Sequence, residues 1–157
     1  MGRGARLRQT GLIQNPYRSG DFVWSHFPQR ENPARPGPRH VAYVVLSTST
    51  APGSTILVAF TTSQPWIGPR PSGLLSIDLE TAAGMGQSRP FTLDLRRIAP
   101  LPVTEDWFPD LQASNHGVFG KAPERLRIMF EATLTELARR RPETIEHLGP
   151  ISPRPGR

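Results

Sequence analysis

The 157-residue sequence contains no cysteine and a single lysine, and it has no run of the roughly 20 apolar residues that a membrane-spanning helix needs. The first absence excludes disulfide scaffolds, thiol chemistry and cysteine-ligated metal; the last excludes a helical membrane span. Familiar catalytic signatures are missing as well. There is no G-x-x-x-x-G-K-[ST] phosphate loop, so the Gly84-Met85-Gly86 turn carries little weight as a phosphate cradle, and there is no nucleophile elbow. The four histidines, His26, His40, His116 and His147, never stand three or four residues apart as helical metal ligands do, and no acidic cluster joins them. No metal site and no cofactor are expected. Residues 1–19 lack the apolar stretch of a signal peptide; with Arg3, Arg6, Arg8 and Arg18 among Gly and Gln they read as a flexible or strapped-down basic arm, and the cytoplasm is the expected compartment.

What is present is arginine, proline and glycine. A chain of this length forms one domain by default and buries roughly two-thirds of its unfolded surface, enough for a core without staples. Its 19 basic residues outnumber 13 acids, for a net charge of +6, and 18 of the 19 are arginine. Such a surplus suits a polyanionic partner, but a bias to arginine also follows from codon composition, so the sum alone names no partner. Its distribution says more. Residues 1–40 are net +5, residues 41–120 net −2 and residues 121–157 net +3, so a polyanion site has to draw on the segments that flank the centre.

The 18 prolines and 14 glycines cut the chain into short segments, a β-rich pattern. Asp21 to Phe27 alternates, with Phe22, Trp24 and His26 on one face and Val23, Ser25 and Phe27 on the other. A polar Pro-rich loop, Gln29 to Pro38, leads into the apolar, β-branched run His40 to Ser47, which suits a strand buried on both faces. Further strands are expected over Thr55 to Thr62, over Leu74 to Glu80 with Leu75, Ile77 and Leu79 inward, and over Phe91 to Ile98 with Thr92, Asp94 and Arg96 on its polar face. One long helix, about 123–141, follows from Pro123 as a first helical residue, an apolar stripe of Leu126, Phe130, Leu134 and Leu137, and Arg139 to Arg141 before Pro142. The stripe fits packing against the sheet or a partner. The last residues, 150–157, are expected to fray. The fold class is mainly β: a small barrel or strongly bent sheet of about five to six strands with a C-terminal helix, spanning 20–149.

The first half also resembles a known family. The run Gly20-Asp21-Phe22-Val23-Trp24, then Phe27-Pro28, a polar loop, Gly37-Pro38-Arg39 and the strand Val41 to Leu46, is similar to the opening of the PemK/MazF toxins. Val58 to Ser63 (VAFTTS) resembles that family's V-P-x-T-[ST] strand end, and Asp94 to Arg97 (DLRR) its late strand with an Asp and a following Arg. His40 stands where the family has Pro, and Thr92 where some members have a catalytic Arg.

The resemblance implies an SH3-like barrel, commonly a homodimer, that acts as the toxin of a toxin-antitoxin pair beside an acidic antitoxin protein. It implies a metal-independent endoribonuclease for single-stranded RNA, in which the RNA's own 2′-hydroxyl attacks the neighbouring phosphate. Arg39, Thr62 and Asp94 become the catalytic candidates, with Trp24, Arg35, His40, Ser63 and Arg97 binding substrate. Arg39 is a fixed-charge fork suited to two phosphate oxygens, and Thr62 offers a hydroxyl to the same group. Neither serves conventionally as a base; Asp94 and His40 are the nearest candidates for proton transfer. Trp24 suits either the core or a stacking platform for a base. Two rivals remain open: a toxin of the same fold that binds DNA gyrase, and a non-catalytic barrel that binds RNA or protein.

Overall fold

The computed structural model describes residues 13–64 and 66–151. One sheet holds seven strands: β1 (Asp21–Ser25), β2 (His40–Leu46), β3 (Thr55–Thr62), β4 (Leu74–Ile77), β5 (Phe91–Pro102), β6 (Val118–Lys121) and β7 (Glu146–His147). To these are added a short helix α1 (Leu79–Ala83), a long helix α2 (Glu124–Arg140) and a 3-10 turn at Pro142–Thr144. The spatial order β4-β5-β3-β2-β1-β6 is antiparallel throughout, and β7 lies parallel to β5. The sheet curls into a half-barrel with one long C-terminal helix, the small mainly-β barrel that the sequence pattern predicts. Among the described residues no helix is long and apolar enough to cross a membrane.

Both faces of the sheet are covered, and β2 shows why its sequence lacks alternation. Tyr43 and Val45 enter one core while Ala42 and Val44 enter the other. The first core joins Phe22, Tyr43, Ala59 and Leu93 to Phe130, Leu134 and Leu137 of α2, with Leu126 partly buried at its margin. The expected helical stripe therefore packs on the sheet. The second core lies under the connection between β5 and β6, whose Trp107, Phe108 and Leu111 cover Val23, Val44 and Val58.

Several expectations are corrected. β1 ends at Ser25, two residues early. The strand expected over 74–80 stops at Ile77, because Asp78 Oδ1 accepts a hydrogen bond from the Thr81 N–H (2.8 Å) and caps α1; this leaves Leu79 55% exposed rather than inward. β5 continues past Ile98 through Pro100 and Pro102, where its pairing with β4 has ended and proline is tolerated on the open side. Its supposed polar face is also misplaced: Thr92 and Asp94 are buried, because β3 and β4 flank them on both sides. Pro123 occupies the cap of α2 rather than its first turn. β6 was not foreseen from composition, since Val118–Lys121 is short and holds a glycine.

Nor is the arm flexible throughout. Asn15 Nδ2 donates to Ser47 Oγ (2.9 Å) and to the Ser49 carbonyl (2.8 Å), and the Tyr17 hydroxyl donates to the His116 carbonyl (2.8 Å), so residues 13–19 are strapped down. Residues 1–12 and 152–157, which include most of the expected arm and tail, lie outside the described residues.

The turn that follows α1 packs against the edge strand β6 without pairing to it. Gly86, just after α1, has φ +81°, and an added Cβ there would stand 2.6 Å from the Phe119 carbonyl oxygen. A Cβ on Gly120 would stand 1.9 Å from the Met85 carbonyl oxygen. Backbone packs on backbone at this seam, so Gly120→Ala is expected to destabilise the protein by about 1–3 kcal/mol in urea denaturation. An unchanged midpoint would show that the contact is dispensable.

The only two tyrosines make stability sensitive to alkali. Burial first, then nearby carboxylates, pushes the Tyr17 and Tyr43 phenols above their ordinary range. A raised folded pKa contributes stability that is complete below the unfolded value, about 10, and is lost as pH rises beyond it. The melting temperature should therefore fall above roughly pH 10. Phenolate absorbance should appear together with unfolding; its appearance in a still-folded protein would contradict this account.

Candidate active site

The site lies at one end of the sheet, where β1, β2 and β3 open towards the Pro-rich loop. That loop is pinched at its base. Gly37 N–H donates to the His26 carbonyl (3.2 Å), and His26 Nδ1 bonds the Gly37 carbonyl (2.9 Å). A Cβ on Gly37 would lie 2.3 Å from the Phe27 carbonyl oxygen, so only glycine permits this closure. The pinch delivers Arg39 and His40 to the start of β2, with His40 paired to Ser25 and Val41 to Trp24.

Five of the residues singled out from the sequence then meet. Trp24, Arg39, His40, Thr62 and Ser63 line one cleft of about 450 Å³, joined by Phe91, Phe119 and the segment Gly86 to Pro90. Arg39 lies over the Trp24 ring, 4.9 Å from its centroid, and Asp110 holds its guanidinium at 2.7 and 3.4 Å. Its side chain remains 50% exposed. Asp110 engages two of the five guanidinium N–H groups, and the other three make no hydrogen bond among the described residues. Thr62 ends β3 opposite Thr92, and its Oγ1 accepts the Gln64 N–H (3.0 Å).

His40 stands between this cleft and a second one of about 330 Å³, lined by Phe27, Pro28, Arg30, Glu31, Phe60 and Arg97 among others. Its Nε2 meets the Thr61 carbonyl oxygen at 2.5 Å, a contact that requires the proton on that nitrogen. Nδ1 makes no hydrogen bond among the described residues and is not a buried orphan, so it meets solvent with a lone pair when the ring is neutral. The ring stacks on Phe60 with centroids 4.6 Å apart and planes 2° from parallel.

Two candidates are not brought in. Arg35 is exposed on the loop and lines neither cleft. Asp94 is buried and committed: its Oδ1 accepts Arg96 N–H (3.0 Å) and Nε (2.9 Å), and its Oδ2 accepts Nη2 (3.1 Å). The residue expected on the polar face of its strand is thus buried in an ion pair with the half-buried Arg96. Arg97 reaches the second cleft from an irregularity in the β3–β5 ladder, where Ala59 pairs with Ile98 but Phe60 pairs with Asp94, leaving residues 95–97 without a partner on β3.

Sequence reasoning missed Gln87 and Arg89 in the first cleft and Arg30 and Phe60 in the second. The Gly84-Met85-Gly86 turn was the available signal for the first pair, read there only as a poor phosphate cradle. Among the described residues no group of three or more His, Asp or Glu is placed to hold a metal ion. No protein-family model matches the chain, and no curated protein matches its sequence.

Proposed function

We propose that the chain is a metal-independent endoribonuclease of the toxin-antitoxin kind, cleaving single-stranded RNA by attack of its own 2′-hydroxyl. The supporting observation is convergence: Trp24, Arg39, His40, Thr62 and Ser63, picked out from three separate stretches of sequence, line one cleft around a half-exposed arginine, three of whose N–H groups make no hydrogen bond among the described residues. In this reading Arg39 and the Thr62 hydroxyl hold the scissile phosphate and stabilise the charge gathering on its oxygens. His40 Nδ1 takes the proton from the 2′-hydroxyl as that oxygen bonds to phosphorus. The bond to the 5′-oxygen breaks, and the departing oxygen takes a proton from water or the imidazolium. The products are a 2′,3′-cyclic phosphate and a 5′-hydroxyl. Asp94, held by Arg96 and away from both clefts, is given a structural part. A homodimer and an acidic antitoxin belong to the same proposal.

Incubation with total RNA in EDTA, followed by end mapping, is the test. Fragments with 5′-hydroxyl ends are expected, and intact RNA would overturn the proposal. The hold of Asp110 on Arg39 favours one second reading, a barrel that binds RNA without cutting it; RNA retained uncut in a filter-binding assay would select it.

A further inference from the structure

The second cleft contains a cation with which no carboxylate of the described residues forms an ion pair. Across the β5–β7 register Arg97 stands opposite Glu146, the acid best placed to pair with it. Arg30 has taken that acid instead, with Nε 2.8 and 3.0 Å from its two oxygens. Glu31, on the rim, forms no ion pair with Arg97 among the described residues. The Arg97 Nε is buried without a hydrogen-bond partner, and its guanidinium carbon lies 3.7 Å from the Phe60 ring centroid. Burial lowers the guanidinium's pKa from its ordinary value, the mark of a charge stripped of water without full compensation. Such a group, planar and short of acceptors, suits an oxoanion.

The surroundings narrow the choice of anion. Phe27, Pro28, Pro38 and Phe60 give the cleft apolar walls, which suit a sugar or base attached to the charge. His40, shared with the first cleft, reaches Phe60 from β2, while Arg97 reaches it from β5 on the other side of β3. The result is a row of imidazole, phenyl and guanidinium from three neighbouring strands that lines the second cleft, and its His40 end also lines the first.

We propose that the Arg97 cleft holds a second backbone phosphate of the same polyribonucleotide, adjacent along the strand to the one at Arg39 and Thr62, with His40 as the partition between them. This rests on the reading of the first cleft as a ribonucleotide site.

Binding of 2′-O-methyl oligonucleotides, which lack the attacking hydroxyl, tests it by calorimetry. A dinucleotide with one internal phosphate is compared with the same dinucleotide extended by a 5′- or a 3′-phosphate. In the wild-type chain one of the two extensions should tighten binding about ten-fold at low salt, the effect of one charge-assisted contact. Arg97→Gln should reduce that gain to less than about two-fold and flatten the salt dependence by roughly 0.7 in log–log slope. Arg97→Lys, which keeps the charge, should retain part of the gain and guards against a folding defect. No gain in the wild type, a gain that survives Arg97→Gln, or no binding of any of these ligands at millimolar concentration would each overturn the inference. Cleavage of unmodified RNA is scored separately. A gain without cutting leaves the second phosphate site standing and removes the ribonuclease, and cutting without a gain does the reverse.

Discussion

Arg39→Ala is expected to lower the rate of RNA cleavage by about 10²–10³, the usual cost of removing one donor aimed at transition-state charge. The fold should barely notice. Arg39 is half exposed and its pair with Asp110 is a surface ion pair, worth at most about 1 kcal/mol, so the melting temperature should move by less than about 4 °C. Arg39→Lys keeps the charge and loses the fork, and an intermediate rate is expected. Thr62→Ala removes a single neutral hydroxyl and should cost less than Arg39→Ala. Asp110→Asn separates two uses of the acid. If Asp110 aims the guanidinium over Trp24, cleavage falls; if it competes with phosphate, cleavage rises. Single-turnover kinetics on a defined oligonucleotide, with a melting curve for each variant, reads all four. Unchanged cleavage by both Arg39→Ala and Thr62→Ala would remove the phosphate-binding role from this cleft.

Phe130→Ala carries the largest expected effect on stability, about 3–5 kcal/mol. The Phe130 side chain is fully buried and meets the Tyr43 ring edge-on, with centroids 5.3 Å apart and planes at 89°. Truncation opens a cavity between α2 and the sheet that neither rigid surface can close. Since a domain of this kind has only about 5–15 kcal/mol in total, the variant should unfold at much lower urea concentration. The exposed face of the same helix supplies the control. Met129→Glu changes a residue that is 44% exposed and should shift stability by no more than about 0.5 kcal/mol. If Phe130→Ala left the urea midpoint of the tryptophan signal unchanged, α2 would be a detachable arm rather than part of the core.

Legibility in the sequence followed how local the determining forces are. β2 and β3 were readable because β-branched runs bounded by Pro, Gly and Ser have few other uses, and α2 was readable because its stripe and its basic end are encoded within the helix. The strand expected through Asp78 failed on one side-chain cap that outweighs alternation. Asp94 failed for a non-local reason. Its alternation is that of an exposed face, and only the arrival of β4 on its far side buries it, with Arg96 turned back to neutralise it. The site follows the same rule. Residues near a strand end, such as Arg39, His40 and Thr62, could be placed from the strands alone, whereas Arg97 required the three-residue register shift between β3 and β5, which leaves no mark in the pattern of apolar residues.

The glycine seam gives the barrel a preferred line of opening. Among the described residues no backbone hydrogen bond crosses from Met85 and Gly86 to Phe119 and Gly120, so parting them sacrifices contact but no ladder rung. Every other junction along the path is stitched by strand pairing. Opening along this contact therefore costs less than parting any strand pair. Gly86 and Phe119, on opposite sides of the seam, both line the Arg39 cleft, so each such excursion widens the mouth through which a bulky polymer would have to thread.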